Sequence, residues 1–364
     1  MSGGQRVVGS NPAAPTISRS LHGPDRDHAD GSFPLIAESV EAELRLWPEL
    51  AGTARLINLS ENHTFRIDGP GGPGIIRVHR PGYQGWATIE SELAWVEALR
   101  NGTNLPVPTP LPGRDGRLVQ QMSGDRLAVR FAFIPGREPT SADPLLPVFS
   151  TLGRFAAMAH DHVARWSLPD GFVRQRWDAS AVLDVDGLWG DWRAAPHVAP
   201  VRGVLDALDQ RLRAVLRAYG TAPDRFGLIH ADMRLANLLV HGDETTLIDF
   251  DDCGFCWFLY DLAAALSFIE DRADVPDLVA AWLRSYRAIR DLPQEHEALI
   301  APMILLRRMA LLAWIGSHSE TDLARSHASH FAPVTAELGA AWLRGEPVFQ
   351  TRAESRPRSW GAAR

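Results

Sequence analysis

The sequence predicts an α+β protein of two lobes: a small antiparallel-sheet lobe with one helix, then a larger, mostly helical lobe. Three observations carry that prediction. Between residues 55 and 133, short alternating apolar runs separated by Gly, Pro, Ser and Asp clusters read as strands, with one amphipathic helix among them. From residue 145 onward the apolar positions recur mainly at helical spacing. Within that second part, residues 228–252 (LIHADMRLANLLVHGDETTLIDFDD) set His230, Asp232, Asn237 and Asp249 among Leu, Ile and Val. The expected boundaries are a flexible leader over residues 1–32, a small lobe over 33–133, a large lobe over 134–344 and a loose tail over 345–364.

Composition narrows the class. A chain of 364 residues is long enough for two lobes and a large core. Hydrophobic content of 45% and a net charge of −7 describe a soluble protein and give no electrostatic reason to expect nucleic acid. The two cysteines, Cys253 and Cys256, imply no disulfide framework and fit a reducing cytoplasm. The most apolar stretch, residues 298–315, is broken by Pro302, Arg307 and Arg308 into pieces too short to span a bilayer. All 37 basic residues are arginine. Any permanently charged contact to a phosphate must therefore come from arginine.

Taken in order, residues 1–32 are rich in Gly, Pro, Ser and Asp without periodicity, hence the leader. Residues 35–50 read as a helix carrying Val40, Leu44, Leu46 and Trp47, with Pro48 marking its end. Strands over 55–59 and 64–67 flank the polar turn Ser60-Glu61-Asn62-His63. After a Gly/Pro turn, the strand over 75–79 puts Arg77 among apolar neighbours, where its charge needs a partner. The helix over 88–100 offers Glu92, on the stripe with Trp95, Val96 and Leu99. Glu90 lies with Ala94 and Glu97 on a more polar face. Strands over 117–122 and 127–133 turn at Ser123-Gly124-Asp125, and Ile134-Pro135-Gly136 breaks the pattern.

In the large lobe, a helix bearing Leu152, Phe155, Ala156 and Ala159 ends near His160-Asp161-His162. Side chains two apart diverge on a helix, so that triplet reads as a solvated helix end rather than a zinc site. Residues 177–192 hold Trp177, Trp189 and Trp192 among Asp178, Asp184, Asp186 and Asp191. They form either a packed connection or a wall suited to a cationic amine. Helices over 201–219, 273–290, 294–317 and 323–344 complete the lobe. The C-x-x-C of Cys253 and Cys256 has no second pair and no thioredoxin-like context, so it is assigned neither zinc nor redox chemistry. Glu270, His318, Glu320 and Asp322 are unranked candidates for an acceptor pocket.

The stretch 228–252 carries the chemistry. Strands over 238–241 and 245–250, joined by Gly242-Asp243-Glu244, form a hairpin. With that three-residue loop Asn237 falls opposite Asp249, close enough to share a hard cation; a two-residue loop would put them on opposite faces. One amide oxygen and one carboxylate suit Mg²⁺, whose remaining ligands are water or phosphate oxygens. Asp232, five residues before Asn237, then lies at the mouth of the site, able to accept a proton from a hydroxyl. Asp251 shares a face with Asp249 in this register and is an auxiliary metal candidate.

His-x-Asp-x-x-x-x-Asn followed by Ile-Asp-Phe resembles the phosphotransferase family of aminoglycoside, choline and homoserine kinases, whose fold is protein-kinase-like. Ala231 stands where that pattern usually has Gly, and Arg234 where a His is common. The resemblance implies phosphoryl transfer with ATP and Mg²⁺: Asp232 as the catalytic base, Asn237 and Asp249 as metal ligands, His230 as a support of the loop. It implies that Ser60 and Asn62 lie in the loop over the nucleotide phosphates. Arg77 paired with Glu92 would replace the usual lysine–glutamate pair, and backbone groups near Ala132 and Ile134 would meet adenine. It further implies that Asp261 braces the catalytic loop. Leu105-Pro106-Val107-Pro108 resembles the turn after the helix in aminoglycoside kinases.

The expected function is an ATP-dependent kinase for a hydroxyl of a small molecule. The alternative is a serine/threonine protein kinase of the bacterial stress-response type, which Val78-His79-Arg80-Pro81 also resembles. A non-catalytic nucleotide-binding scaffold and a metal-dependent phosphohydrolase are weaker alternatives; the latter lacks an early nucleophilic Asp motif.

Overall fold

The computed structural model describes residues 33–59 and 62–349. The leader, Ser60, Glu61 and residues 350–364 lie outside the described residues. Helix α1 (Phe33–Glu43) and a 3₁₀ turn precede strands β1 (Thr53–Leu59), β2 (Asn62–Asp68) and β3 (Gly74–His79). Helix α2 (Trp86–Gly102) follows, then β4 (Pro110–Leu111), β5 (Val119–Met122) and β6 (Arg126–Ala132). The strands form one antiparallel sheet in the order β1-β2-β3-β6-β4, with β5 also on β6.

Side-chain alternation gives this sheet two apolar faces. Phe65, Ile67, Ile76 and Val78 pack with Val40, Leu44 and Trp47 of the α1 region. Val129 and Phe131 pack with Ile89 and Leu93 of α2. Arg77, between Ile76 and Val78 on β3, therefore faces α2.

Helix α3 (Leu145–Val163) opens the helical part, followed by α4 (Ala179–Leu183) and α5 (Arg202–Tyr219). Strand β7 (Phe226–Ile229), the hairpin β8 (Leu238–His241) and β9 (Glu244–Leu247), and β10 (Gly254–Trp257) form two small antiparallel ladders. The chain continues as α6 (Tyr260–Ala265), α7 (Val275–Arg287), α8 (Ile300–Ser317), α9 (Asp322–His327) and α10 (Phe331–Leu343). Helices α3 and α7 cross at Gly153, where a Cβ would meet the Trp282 carbonyl oxygen at 2.2 Å. Only glycine permits that approach.

By length and hydropathy, residues Gln294–Ser317 would qualify as a membrane span, yet 83% of that window is buried inside the fold. It is the central helix of the core, and its apolar residues face protein on all sides.

The hairpin corrects one expectation. Leu238 faces Leu247 and His241 faces Glu244, so the loop is the two residues Gly242-Asp243. Gly242 has φ +59°, as primed hairpin turns require at their first central position. The ladder ends at Leu247, so Asn237 and Asp249 lie beyond it and strand alternation does not decide their faces. The helix expected over 323–344 is two helices, and β4 had no expected counterpart.

Candidate active site

Beyond β7 the chain turns sharply. Ala231 has φ +66°, a left-handed conformation that costs a side-chain-bearing residue about 1 kcal/mol. Asp261, in the first turn of α6, holds this turn: Oδ1 accepts from the Ala231 amide at 2.8 Å and Oδ2 from the His230 amide at 3.3 Å. His160 meets the same Oδ2 at 3.0 Å, and its other ring nitrogen meets the Tyr286 hydroxyl at 3.0 Å. His160 and Asp261 are fully buried. Burial lowers the proton affinity of His160 despite the pull of Asp261. His160 is thus an interior strut and not a solvated helix end, because α3 continues past it to Val163. Asp161 does face outward, paired with Arg165 at 2.6 Å.

Asp232 follows, its carboxylate caged on both oxygens. Oδ2 accepts from Asn237 Nδ2 at 2.7 Å and from Arg234 Nε at 3.0 Å, while Oδ1 accepts from Arg307 Nη2. Burial opposes its ionisation, but Arg234 and Arg307 outweigh burial and hold the carboxyl well below the usual carboxylate range. His230 supports the loop: its Nδ1 accepts from the Asp232 amide at 3.3 Å, and Nε2 lies 3.1 Å from the Ile248 carbonyl.

Asn237 closes a 3₁₀ turn, Leu235–Asn237, and is buried. Its Nδ2 donates to the Asp232 backbone carbonyl as well, at 2.7 Å. Its own carbonyl accepts from the Ile248 amide at 2.9 Å, which fixes the residue before Asp249. At Asp249 the backbone reverses, with φ +64°, and Oδ1 lies 3.6 Å from Arg77 Nη1.

Arg77 Nη2 donates to both oxygens of Glu92, at 2.8 and 2.7 Å, and both residues are buried. The expected Arg77–Glu92 pair is therefore formed. Asn62 is buried too, and its Nδ2 donates to Asp251 Oδ2 at 2.8 Å. The Asp251 carbonyl accepts from Arg174 and, at 3.3 Å, from Gln84 Nε2. Burial pushes the Asp251 carboxyl up to about 7; Glu92 and Asp249 add to that rise, and Arg77 and Arg174 oppose it. Asp251 does not share a strand face with Asp249, because residues 248–252 are not a strand. Ala132 ends β6 with its amide already donated to the Thr109 carbonyl at 2.9 Å, and Ile134 lies in the connection beyond.

Among the described residues, no group of three or more His, Cys, Asp or Glu side chains is arranged to hold a metal. Residues 53–299 match the phosphotransferase enzyme family. The chain belongs to that family. A microcompartment-associated aminopropanol kinase of known structure is 39% identical, with a TM-score of 0.78 over 85% of this chain and 98% of that one. The amicoumacin kinase of Bacillus subtilis (strain 168) is 23% identical over 74% of this chain and 81% of its own length. The homoserine kinase of Rhizobium etli (strain CIAT 652) is 33% identical, the match spanning 57% of this chain and 62% of that protein. This phosphotransferase is an α+β protein of the protein-kinase-like fold that transfers a phosphoryl group from ATP to a hydroxyl of a small molecule. The protein-kinase alternative finds no support among these relatives.

Sequence reasoning missed three buried arginines, two of which, Arg307 and Arg174, touch the site. Arg307 and Arg308 were taken only as breaks in an apolar run, yet both are buried: Arg307 on Asp232, and Arg308 on Glu270 at 2.8 Å. The signal was present, because a charge inside an apolar helix demands a carboxylate partner. Arg174 has no comparable pattern around it; its Nε donates to the Cys253 carbonyl at 2.7 Å and Nη1 to the Thr88 carbonyl at 3.1 Å.

The remaining candidates sort by packing. Trp177, Trp189 and Trp192 are buried. Asp178 and Asp191 cap short helices, and Asp184 pairs with Arg213 at 2.8 Å. That stretch is a packed connection. Glu270 and His318 are buried, and Glu320 and Asp322 are exposed. Cys253 and Cys256 are buried free thiols, and burial pushes Cys253 up to about 12.

Proposed function

We propose that this phosphotransferase acts on a short amino alcohol, with Asp232 orienting the acceptor hydroxyl and Mg²⁺ held by Asn237 and Asp249. The observation that carries the reading is the Asp232 carboxylate, buried and kept ionised by two arginines and an amide. Such a group receives a hydroxyl proton without first having to lose one of its own. The acceptor oxygen bonds to the γ-phosphorus as the bond from that phosphorus to the β-bridging oxygen breaks. ADP leaves, and the hydroxyl proton passes to Asp232 and then to solvent.

The donor set fits magnesium. Asn237 spends its Nδ2 on Asp232, which leaves its side-chain oxygen as one donor for the ion, with the Asp249 carboxylate as the other. Two hard oxygen ligands, with phosphate oxygens and water as the rest, are the usual protein share for this ion. When bound, it supplies neutralisation of the phosphate charge.

The nucleotide side is supported by Arg77. Its Nε is buried without a hydrogen-bond partner among the described residues, a donor that a phosphate oxygen satisfies. Glu92 fixes the guanidinium for that contact, Asn62 opens the neighbouring strand β2, and the resemblance assigns Ser60 to the phosphates and the backbone near Ala132 and Ile134 to adenine.

The amino-alcohol class rests on the aminopropanol kinase, matched over 98% of its length. A coupled assay of ADP release over aminopropanol, homoserine, choline and an aminoglycoside tests it. Highest kcat/KM is expected for aminopropanol. Preference for homoserine, or no magnesium-dependent turnover with any of the four, would reject the assignment.

A further inference from the structure

Arg307 enters the site from α8 and is 1% exposed. Each of its three nitrogens has a partner: Nε donates to Ser267 Oγ at 3.0 Å, Nη1 to the Ala231 carbonyl at 3.3 Å, and Nη2 to Asp232 Oδ1. The guanidinium carbon lies 5.0 Å from the Trp189 ring centroid and 5.8 Å from that of Tyr260. Burying such a charge in an apolar helix is costly, and an apolar side chain of similar volume fills the same space without that cost. Packing alone therefore does not account for the residue.

The lone pairs of Asp232 do. Each carboxylate oxygen accepts about two hydrogen bonds. Oδ2 already has two donors, Asn237 and Arg234, whereas Oδ1 has Arg307 alone. We infer that Arg307 is a positioning residue for phosphoryl transfer, locking the Asp232 carboxylate so that its one remaining acceptor position, on Oδ1, takes the alcohol. This inference rests on the reading of Asp232 as the group that orients the acceptor. The Asn237 and Arg234 contacts occupy the oxygen tied to the metal-binding turn. The hydroxyl then approaches the other oxygen, on the flank where α8 supplies Arg307 and where Trp189 lies against it. Ser267 sets the guanidinium plane through Nε, and the Ala231 carbonyl fixes the second nitrogen to the same loop. Rotation of the carboxylate is thereby blocked from three sides.

The test is steady-state kinetics on Arg307→Met and Arg307→Lys, with Asp232→Asn in parallel. Loss of alignment at a reacting group costs on the order of 100-fold in rate, so kcat of Arg307→Met should fall by about that factor. Its KM for ATP should stay within about twofold. Lysine keeps the charge but lacks the planar fork, so Arg307→Lys should also be slow. Methylguanidine added to Arg307→Ala should restore part of kcat, a response that a folding defect would not give. An Arg307→Met enzyme with kcat within threefold of the unaltered protein would overturn the inference. If Arg307→Met does not fold, Ser267→Ala decides: a several-fold fall in kcat at constant ATP KM supports the lock, and unchanged kcat removes it. Transfer surviving in Asp232→Asn would reject the underlying reading of Asp232. Loss in Asp232→Asn beside full activity in Arg307→Met would reject Arg307 alone.

Discussion

Two buried arginines, Arg77 on β3 and Arg307 on α8, meet carboxylates on opposite sides of the same site, and they are satisfied differently. Arg77 gives one nitrogen to both oxygens of Glu92, keeps Nη1 at 3.6 Å from Asp249, and has a buried Nε without a hydrogen-bond partner among the described residues. Arg307 has every nitrogen engaged, two of them on the catalytic loop. A buried donor left unmade costs about 1–3 kcal/mol, and more on a charged group. On the function proposed above, Arg77 is the one that receives a ligand, and Arg307 the one that holds a neighbour still. In a chain without lysine, the same side chain performs both tasks, and the number of spare donors separates them.

That contrast can be broken from several directions. The largest effect is expected at Asp232: Asp232→Asn should lower kcat by roughly 10²–10⁴-fold, the range for loss of a positioned acid–base group, as read by single-turnover phosphate transfer. Next is the brace. Asp261→Ala removes the acceptor for two loop amides and His160, and breaking a buried network of this kind typically costs about 3–5 kcal/mol. Thermal unfolding should show the loss; an unchanged midpoint would mean the turn holds without Asp261.

A smaller, pH-dependent effect belongs to Asp251. Its carboxyl is raised in the folded protein, so the folded state binds that proton more tightly than the unfolded chain does. The resulting stability is present below the unfolded value near 4 and is lost as pH rises toward 7. Without nucleotide and metal, Asp251→Asn should gain in melting temperature relative to the unaltered protein at pH 8 and gain little at pH 5. The reverse order would place the charge on Asp251 in a favourable environment. The smallest change is Ala231→Gly, which relieves left-handed strain of about 1 kcal/mol at some cost in unfolded-state entropy. A slight rise in stability with unaltered kcat is expected, checked by chemical denaturation.

Legibility in the sequence followed the range of the physics involved. Arg77 and Glu92 were readable because strand alternation and a helical stripe are local patterns, and a buried charge needs a partner. The catalytic loop was readable as a motif, but its geometry was not. The hairpin has two loop residues rather than three, and Asn237 and Asp249 are placed by a 3₁₀ turn and a left-handed backbone rather than by a ladder. Neither feature has periodicity. Ala231 carried a readable clue, since the glycine usual in the family pattern at its position matches the positive φ observed. His160 and Arg307 were misjudged because their partners lie 101 and 75 residues away. Buried polar contacts at that separation leave no trace in spacing. Arg307 alone offered a warning, as a charge within the most apolar helix.

The division of labour between the two sides is tested most directly by calorimetric titration of a non-hydrolysable ATP analogue with Mg²⁺ into Arg77→Met and Asp232→Asn. Losing a charge-assisted contact to phosphate is expected to weaken binding to Arg77→Met by about tenfold or more, while Asp232→Asn should bind within about threefold of the unaltered protein. Unimpaired binding by Arg77→Met, or a comparable loss in Asp232→Asn, would contradict the account.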